Sequence, residues 1–291
     1  ETAIARHGIE ALMDEAFASM DQPFADSSYL PTFQVYRLAR QGVKVVLSGD
    51  GADELFGGYL SQSGARRLGL AAACPEPLRR ALARLLGRLM SPSASLEKLK
   101  LPNWLLWASL RDNLFRAQEL DVLRLPWRVE RDEVFALYEP LRAEMQSLEP
   151  LNAYFAGLWN HYLADGILTK IDRASSAHGL EVRVPILDHR IVELAARIPP
   201  ELKYRNGQAK NIFSQAVAEI VGRDVLRRPK LGFGLPNAYY FDDVVSKGLS
   251  EVSRHPAVTE ILNLDGVTDW PARLRWRTLV MGAWLARRGG S

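Results

Sequence analysis

Residues 43–59 read Val43-Lys44-Val45-Val46-Leu47-Ser48-Gly49-Asp50-Gly51-Ala52-Asp53-Glu54-Leu55-Phe56-Gly57-Gly58-Tyr59, and their reading decides the fold. Val43, Val45, Val46 and Leu47 make a short aliphatic run closed by glycines, the pattern of a central strand in a parallel sheet. Gly49 and Gly51 permit a tight turn at its carboxyl end, where open parallel sheets hold their ligands. Ser48 offers a hydroxyl and a backbone N–H at that edge. Asp50 and Asp53 add two carboxylates, with Asp53 in the first turn of the next helix, where an acid also offsets the positive helix end. The carboxylates alone would suit an ordinary acidic turn, but the density of glycine and acid in one loop points to a nucleotide site.

Upstream, Ile9, Leu12, Met13, Ala16, Phe17 and Met20 recur at helical spacing until Asp21-Gln22-Pro23. A loop from Phe24 to Leu30 carries Asp26, Ser27 and Ser28, which can cap a helix from Pro31 to about Arg40 that feeds the strand. Residues 61–150 are mostly helical and broken by prolines. A helical pattern spans Leu151 to Gly179, Glu181 to Asp188 is an extended corner, and helices follow through Ile191–Ile198 and from Ala209 to Val221. The segment Arg227 to Pro236 is too rich in Gly, Pro and charge for regular structure. The fold class is therefore α/β and helix-rich, with a small parallel sheet surrounded by helices.

Composition narrows the chemistry. The 291 residues are 47% hydrophobic and carry a net charge of +3, so one large core or two modest ones can form. No apolar run reaches the roughly 18 residues of a membrane helix, and Glu1 to His7 lack a secretory pattern, so a cytoplasmic location and no membrane partner are expected. Cys74 is the single cysteine, which excludes an internal disulfide, and the five His residues show no zinc-ligand spacing. Arg79, Arg80, Arg84 and Arg88 share a helix with the apolar stripe Leu78, Ala81, Leu82, Leu85, Leu86 and Leu89. That reads as a solvated basic face over a packed stripe, so no nucleic-acid footprint is expected.

Three blocks taken together point further. They are Ser48 to Tyr59; Lys170-Ile171-Asp172-Arg173 through Glu181-Val182-Arg183-Val184-Pro185-Ile186-Leu187-Asp188; and Gly207-Gln208-Ala209-Lys210 through Arg228-Pro229-Lys230-Leu231-Gly232-Phe233-Gly234-Leu235-Pro236. In order and spacing they resemble the synthetase domain of glutamine-hydrolysing asparagine synthetases, over roughly residues 20–240. The resemblance implies a Rossmann-like ATP-pyrophosphatase domain that activates a carboxylate, aspartate in the first instance, with ATP. Ammonia from glutamine then displaces AMP. Residues 1–291 would form one such domain: 8–60 with the nucleotide-site strand and helices, 61–150 helical, 151–240 with the ion-pair and lysine motifs, and 241–291 a C-terminal helical region.

By that resemblance Ser48, Gly49 and Gly51 look like nucleotide contacts, and Asp53 looks like a ligand of the Mg2+ that bridges the phosphates. Asp50 stands at the acidic position tied to forming the acyl-adenylate. Lys210 matches the lysine that neutralises charge on the phosphates, although by itself it would pass for a solvated lysine at a helix start. Ser27 and Ser28 sit where the family binds its acceptor, or they simply cap the following helix. Asp172, Arg173, Glu181, Arg183 and Asp188 alternate in sign around apolar residues, as in a semi-buried ion-pair network. Lys230 and its glycines suit a flap over the nucleotide or an ordinary connection, and His178 reads as a packed histidine.

The family pattern also includes an upstream strand with a Ser-Gly-Gly-x-Asp-Ser loop and a glutaminase domain with an N-terminal catalytic Cys, which have no counterpart here. The expectation is a piece of a longer protein, or one whose missing parts lie on another chain, inactive by itself. Homo-oligomerisation stays open. Two rivals also remain: a related amidotransferase or cyclase with another acceptor, and a non-catalytic module supporting a partner subunit.

Overall fold

In the computed structural model, which describes residues 8–59, 70–71, 73–89, 94–108, 122–226, 228 and 241–289, Val45–Leu47 forms strand β1. It pairs in parallel with β2, Glu181–Arg183, placing Val45 opposite Glu181, Val46 opposite Val182 and Leu47 opposite Arg183. Alternation gives each strand two faces. Val46 and Val182 pack on the main core, whereas Val45 and Leu47 are 41% and 74% exposed. The strand expected to be central is thus, among the described residues, half of a two-stranded sheet with one open face. The expected corner after Leu180 contains β2 and then a single 3-10 turn, Pro185–Leu187.

Helix Ile9–Ala18 buries Ile9, Leu12, Met13, Ala16 and Phe17, the stripe that its sequence spacing predicts. Helix Tyr29–Arg40 starts two residues before the expected Pro31, because proline's missing N–H costs nothing in a first helical turn. The helical pattern after Leu151 becomes one continuous rod: Pro150–Gly157, a wider π-helical stretch Leu158–Leu168, then Thr169–Ser176. Helices Phe241–Val252 and Ala272–Arg288 complete the main core with Val245, Leu249, Trp276, Leu279 and Val280. No helix among the described residues is long and apolar enough to cross a membrane. The segment around Lys230 lies outside the described residues.

Helix Glu76–Leu89 reverses the expected orientation. Leu78, Leu82, Leu85, Leu86 and Leu89 are exposed, while Arg79 and Ala83 are buried. The reason is polar: the Arg79 guanidinium donates to the carbonyls of Leu99 and Leu101 and to Asn103 Oδ1, and the Glu76 carboxylate accepts from the Asn103 N–H. A buried guanidinium needs those acceptors, and they fix which face turns inward. Arg79→Met strands three acceptors and is expected to lower the unfolding free energy by about 2–4 kcal/mol in urea titrations. Arg84→Met, on the exposed side, should stay within about 0.5 kcal/mol of the parent.

Lys203 is another buried cation. It is 2% exposed and lays its ammonium 4.3 Å from the Phe155 ring centroid and 5.1 Å from that of Trp159. Burial pushes its pKa down from 10.5 to about 8. The unfolded chain therefore binds more protons than the folded one between these values, so stability is lowest below pH 8 and rises as pH climbs towards 10.5. The rise attributable to Lys203 is at most roughly 3 kcal/mol, and it is expected to vanish in Lys203→Met when denaturation of the two proteins is compared across that window.

Candidate active site

Ser48 carries the β1 ladder one residue further, donating its N–H to the Arg183 carbonyl at 2.8 Å. Its hydroxyl donates to the Asp50 carboxylate. Tyr36, buried on helix Tyr29–Arg40, hydrogen-bonds Ser48; burial first and the charge of Asp50 second push its phenol up to about 12, so it stays neutral at physiological pH. Gly51 has φ +94°, and a Cβ there would run into the Leu187 side chain from the turn after β2. Glycine is obligatory at this point for both reasons. A Cβ on Gly49 would meet nothing within 4 Å, so open space lies beside the loop.

The short helix Ala52–Phe56 is held from behind. Leu55 and Phe56 pack with Ala195, Trp159 and Phe213, and the Phe56 and Phe213 rings stack at 5.0 Å. Trp159 Nε1 donates to the Glu54 carbonyl at 3.0 Å, and the Tyr59 hydroxyl donates to the buried Glu54 carboxylate. Burial and that carboxylate raise the Tyr59 pKa. Asp53 faces the other way, with its Oδ1 2.9 Å from Lys210 Nζ. A Cβ on Gly58 would occupy the Asp53 carboxylate's position and come within 2.5 Å of Lys210 Cε, so this glycine makes room for the ion pair.

Lys210 reaches Asp53 through a chain of local backbone choices. Asn206 and Gly207 both have positive φ in a two-residue turn closed by Arg205 and Gln208, whose N–H groups and carbonyls pair at 3.1 and 2.8 Å. Lys210 itself is left-handed (φ 52°), and the helix begins at Asn211, not at the expected Ala209. That conformation costs a lysine about 1–2 kcal/mol. The Asn211 side chain anchors the turn by donating to the Leu202 carbonyl.

Ser28 precedes Tyr29 without capping the helix through its side chain. Its N–H and hydroxyl both donate to Asp26, and buried Lys170 donates to the Ser28 hydroxyl at 3.0 Å. Ser27 lines an adjoining cleft. Helix Tyr29–Arg40 leads into β1, and it is Tyr36, in its second half, that reaches Ser48. Sequence reading gave no role to Tyr36, Glu54, Tyr59 or Lys170; their signal was a polar group on an otherwise apolar helix face or motif.

The expected semi-buried ion-pair network is instead three separate, largely exposed pairings. Arg173 bridges Asp172 and Asp21, Arg183 pairs with Glu181 two residues away on one strand face, and Asp188 binds Arg190. Their spacing along the backbone keeps these charges from converging. Asp188 also accepts the Arg190 N–H at the start of helix His189–Arg197, and Arg190 holds its carboxyl well below the usual carboxylate range. His178 sits edge-on to Phe33 at 4.3 Å, and burial pushes its pKa down.

Among the described residues no three His, Cys, Asp or Glu side chains cluster as a metal cage. One carboxylate still suits Mg2+, which commonly takes one or two protein carboxylates and completes its shell with substrate phosphates and water. Asp53, partly exposed and ion-paired to the Lys210 ammonium at 2.9 Å, is a carboxylate of that kind.

Residues 1–268 match the Asparagine synthase family. A Mycobacterium tuberculosis relative, provisionally named a glutamine-hydrolyzing asparagine synthetase, is 35% identical over 233 residues, covering 78% of this chain and 35% of its own length. The Bacillus subtilis glutamine-hydrolyzing asparagine synthetase 1 is 30% identical over 262 residues, covering 85% of this chain and 39% of its own length. The chain thus spans little more than a third of these relatives. With the parallel pair, the Ser48–Asp53 loop and the lysine of a distant segment brought to one edge, the chain belongs to the asparagine synthase family.

Proposed function

We propose that the protein containing this chain is an ATP-dependent amide ligase that adenylates a carboxylate and transfers ammonia to it. The observation that carries the reading is the Lys210–Asp53 pair beside the Ser48–Asp50 loop. In the first step an acceptor carboxylate oxygen attacks the α-phosphorus of ATP, and the bond to pyrophosphate breaks with its electrons leaving on pyrophosphate. In the second, the ammonia lone pair attacks the acyl carbon, the bond to AMP breaks, and the nitrogen sheds a proton.

Ser48, Gly49 and Gly51 supply the hydroxyl and backbone N–H groups that meet the nucleotide. Lys210 turns from Asp53 to the incoming phosphates, exchanging one anion for another, and Asp53 is freed to hold Mg2+. The ion, when bound, neutralises charge on the departing pyrophosphate. Asp50, kept in place by the Ser48 hydroxyl, accepts the proton from the attacking nitrogen. Aspartate as acceptor and ammonia drawn from glutamine follow the relatives' names and, with a cytoplasmic setting, are the first reading. A second reading keeps both steps and changes the acceptor; an apolar cleft beside Ser27 favours it.

In the intact protein, Asp53→Asn and Lys210→Ala are each expected to lower carboxylate-dependent ATP–pyrophosphate exchange roughly a hundredfold or more, about 2–4 kcal/mol of transition-state stabilisation, with glutamine hydrolysis retained. Asp50→Asn should preserve ATP binding and abolish amide formation. Wild-type exchange in both the Asp53 and Lys210 variants would favour a structural role for the crevice. Gly58→Ala drives a methyl into the ion pair, and its exchange rate should fall towards that of Lys210→Ala while the far-ultraviolet spectrum is unchanged.

A further inference from the structure

Helix Glu76–Leu89 takes no part in either chemical step, and it carries an open leucine face. Leu78, Leu82, Leu85, Leu86 and Leu89 recur at three- and four-residue spacing, and each is between 42% and 75% exposed. At about 100° of turn per residue they cover an arc of roughly 100°, the width of a stripe that ordinarily packs on a core. The exposure is built in. Rolling the leucines inward would strip the Arg79 guanidinium of its acceptors at Leu99, Leu101 and Asn103, and Ala83 already occupies the covered side. Leu70, just upstream, is exposed as well.

Positive charge accompanies this face. Residues 55–96 hold six arginines, no lysine and one acid, Glu76, whereas the whole chain has a net charge of only +3. That acid is already engaged, pairing with Arg80 and accepting the Asn103 N–H. Arg84 and Arg88 are exposed one turn apart on the flank of the stripe that points away from the body, and among the described residues no ion pair engages either of them.

An apolar stripe flanked by arginines and free of acid is complementary to hydrocarbon beneath a layer of negative charge. A second copy would bring arginines against arginines, because the same helix supplies both sides of a two-fold contact. An acidic protein would answer the charge, yet the stripe is leucine alone, with no aromatic anchor and no hydrogen-bonding side chain to fix a register. A fluid surface needs no register. We propose that helix Glu76–Leu89 docks the protein on an anionic membrane surface, lying in the plane of the interface with its leucines among the acyl chains and the Arg84 and Arg88 guanidiniums at the lipid phosphates. The contact is peripheral and reversible, since the helix is short and apolar on one side only.

The test floats the intact protein on density gradients with vesicles of phosphatidylcholine alone or of an equimolar phosphatidylcholine–phosphatidylglycerol mixture. The parent is expected to partition to the mixed vesicles at least about tenfold more strongly than to phosphatidylcholine, with the preference lost in high salt. Leu85→Gln with Leu89→Gln, and Arg84→Gln with Arg88→Gln, remove the apolar and the charged contributions separately. Each pair is expected to lower partitioning at least about tenfold at an unchanged melting temperature, since all four side chains are exposed. Leu78→Gln with Leu82→Gln, at the other end of the stripe, should repeat the first result. No flotation of the parent, or flotation that none of these pairs weakens, overturns the proposal. So does a parent that stays off vesicles and instead forms a dimer that Leu85→Gln with Leu89→Gln dissociates, or binds a soluble helical peptide of leucine and glutamate; those results assign the face to a second copy or to an acidic protein.

Discussion

The three-residue parallel pairing of β1 with β2 is the constraint on which the site depends. Parallel neighbours bring their carboxyl ends to one edge, so the loop after Leu47 and the turn after Arg183 meet although more than a hundred residues separate them in sequence. Leu187 then stands where a side chain on Gly51 would be, at the positive-φ residue that precedes helix Ala52–Phe56. Ala195, from the helix that follows, closes on Leu55 and Phe56. Among the described residues Val46 and Val182 tie this ladder to the main core, so two valines and a few backbone hydrogen bonds fix the edge from which the acidic loop starts.

Each acid near that edge has a different kind of partner, and the difference separates their chemistry. Asp50 is held by the neutral Ser48 hydroxyl, Glu54 by the neutral Tyr59 phenol, and Asp53 by a cation. A carboxylate held by a neutral donor keeps its negative charge available, as a proton acceptor requires. A carboxylate held by a flexible ammonium has its charge compensated until something more positive or a better anion for the lysine arrives. Glu54 is buried and engaged at both its carboxylate and its carbonyl, which makes it part of the frame and not of the reaction.

Legibility in the sequence tracks the distance over which the deciding interaction acts. The stripe of Ile9–Ala18 and the Ser48–Asp53 turn are local, and their residues announce them. A four-residue aliphatic run cannot say whether one or both faces are covered, so the exposure of Val45 and Leu47 was hidden. Amphipathicity in Glu76–Leu89 shows that a stripe exists, but Arg79's acceptors at Leu99, Leu101 and Asn103 decided which side is covered. The late start of the Lys210 helix was signalled by Asn206-Gly207, a turn pair that overrides helix propensity. Nothing local could join Lys170 to Ser28.

Helix Ala52–Phe56 has five residues, too few to hold its shape alone, so its rigidity is borrowed from what it touches. Much of that contact comes from the π-helical stretch Leu158–Leu168, whose wider turns let neighbouring residues look in different directions. Trp159 and Tyr162 face Glu54 and Tyr59, while His161 and Gly166 face the cleft. Lys203 fixes this segment from a third side by lying over Trp159. One stretch of wide helix therefore braces the helix that carries Asp53 and walls the cleft, so a side chain that reshapes one will be felt at the other through Trp159 and Tyr162.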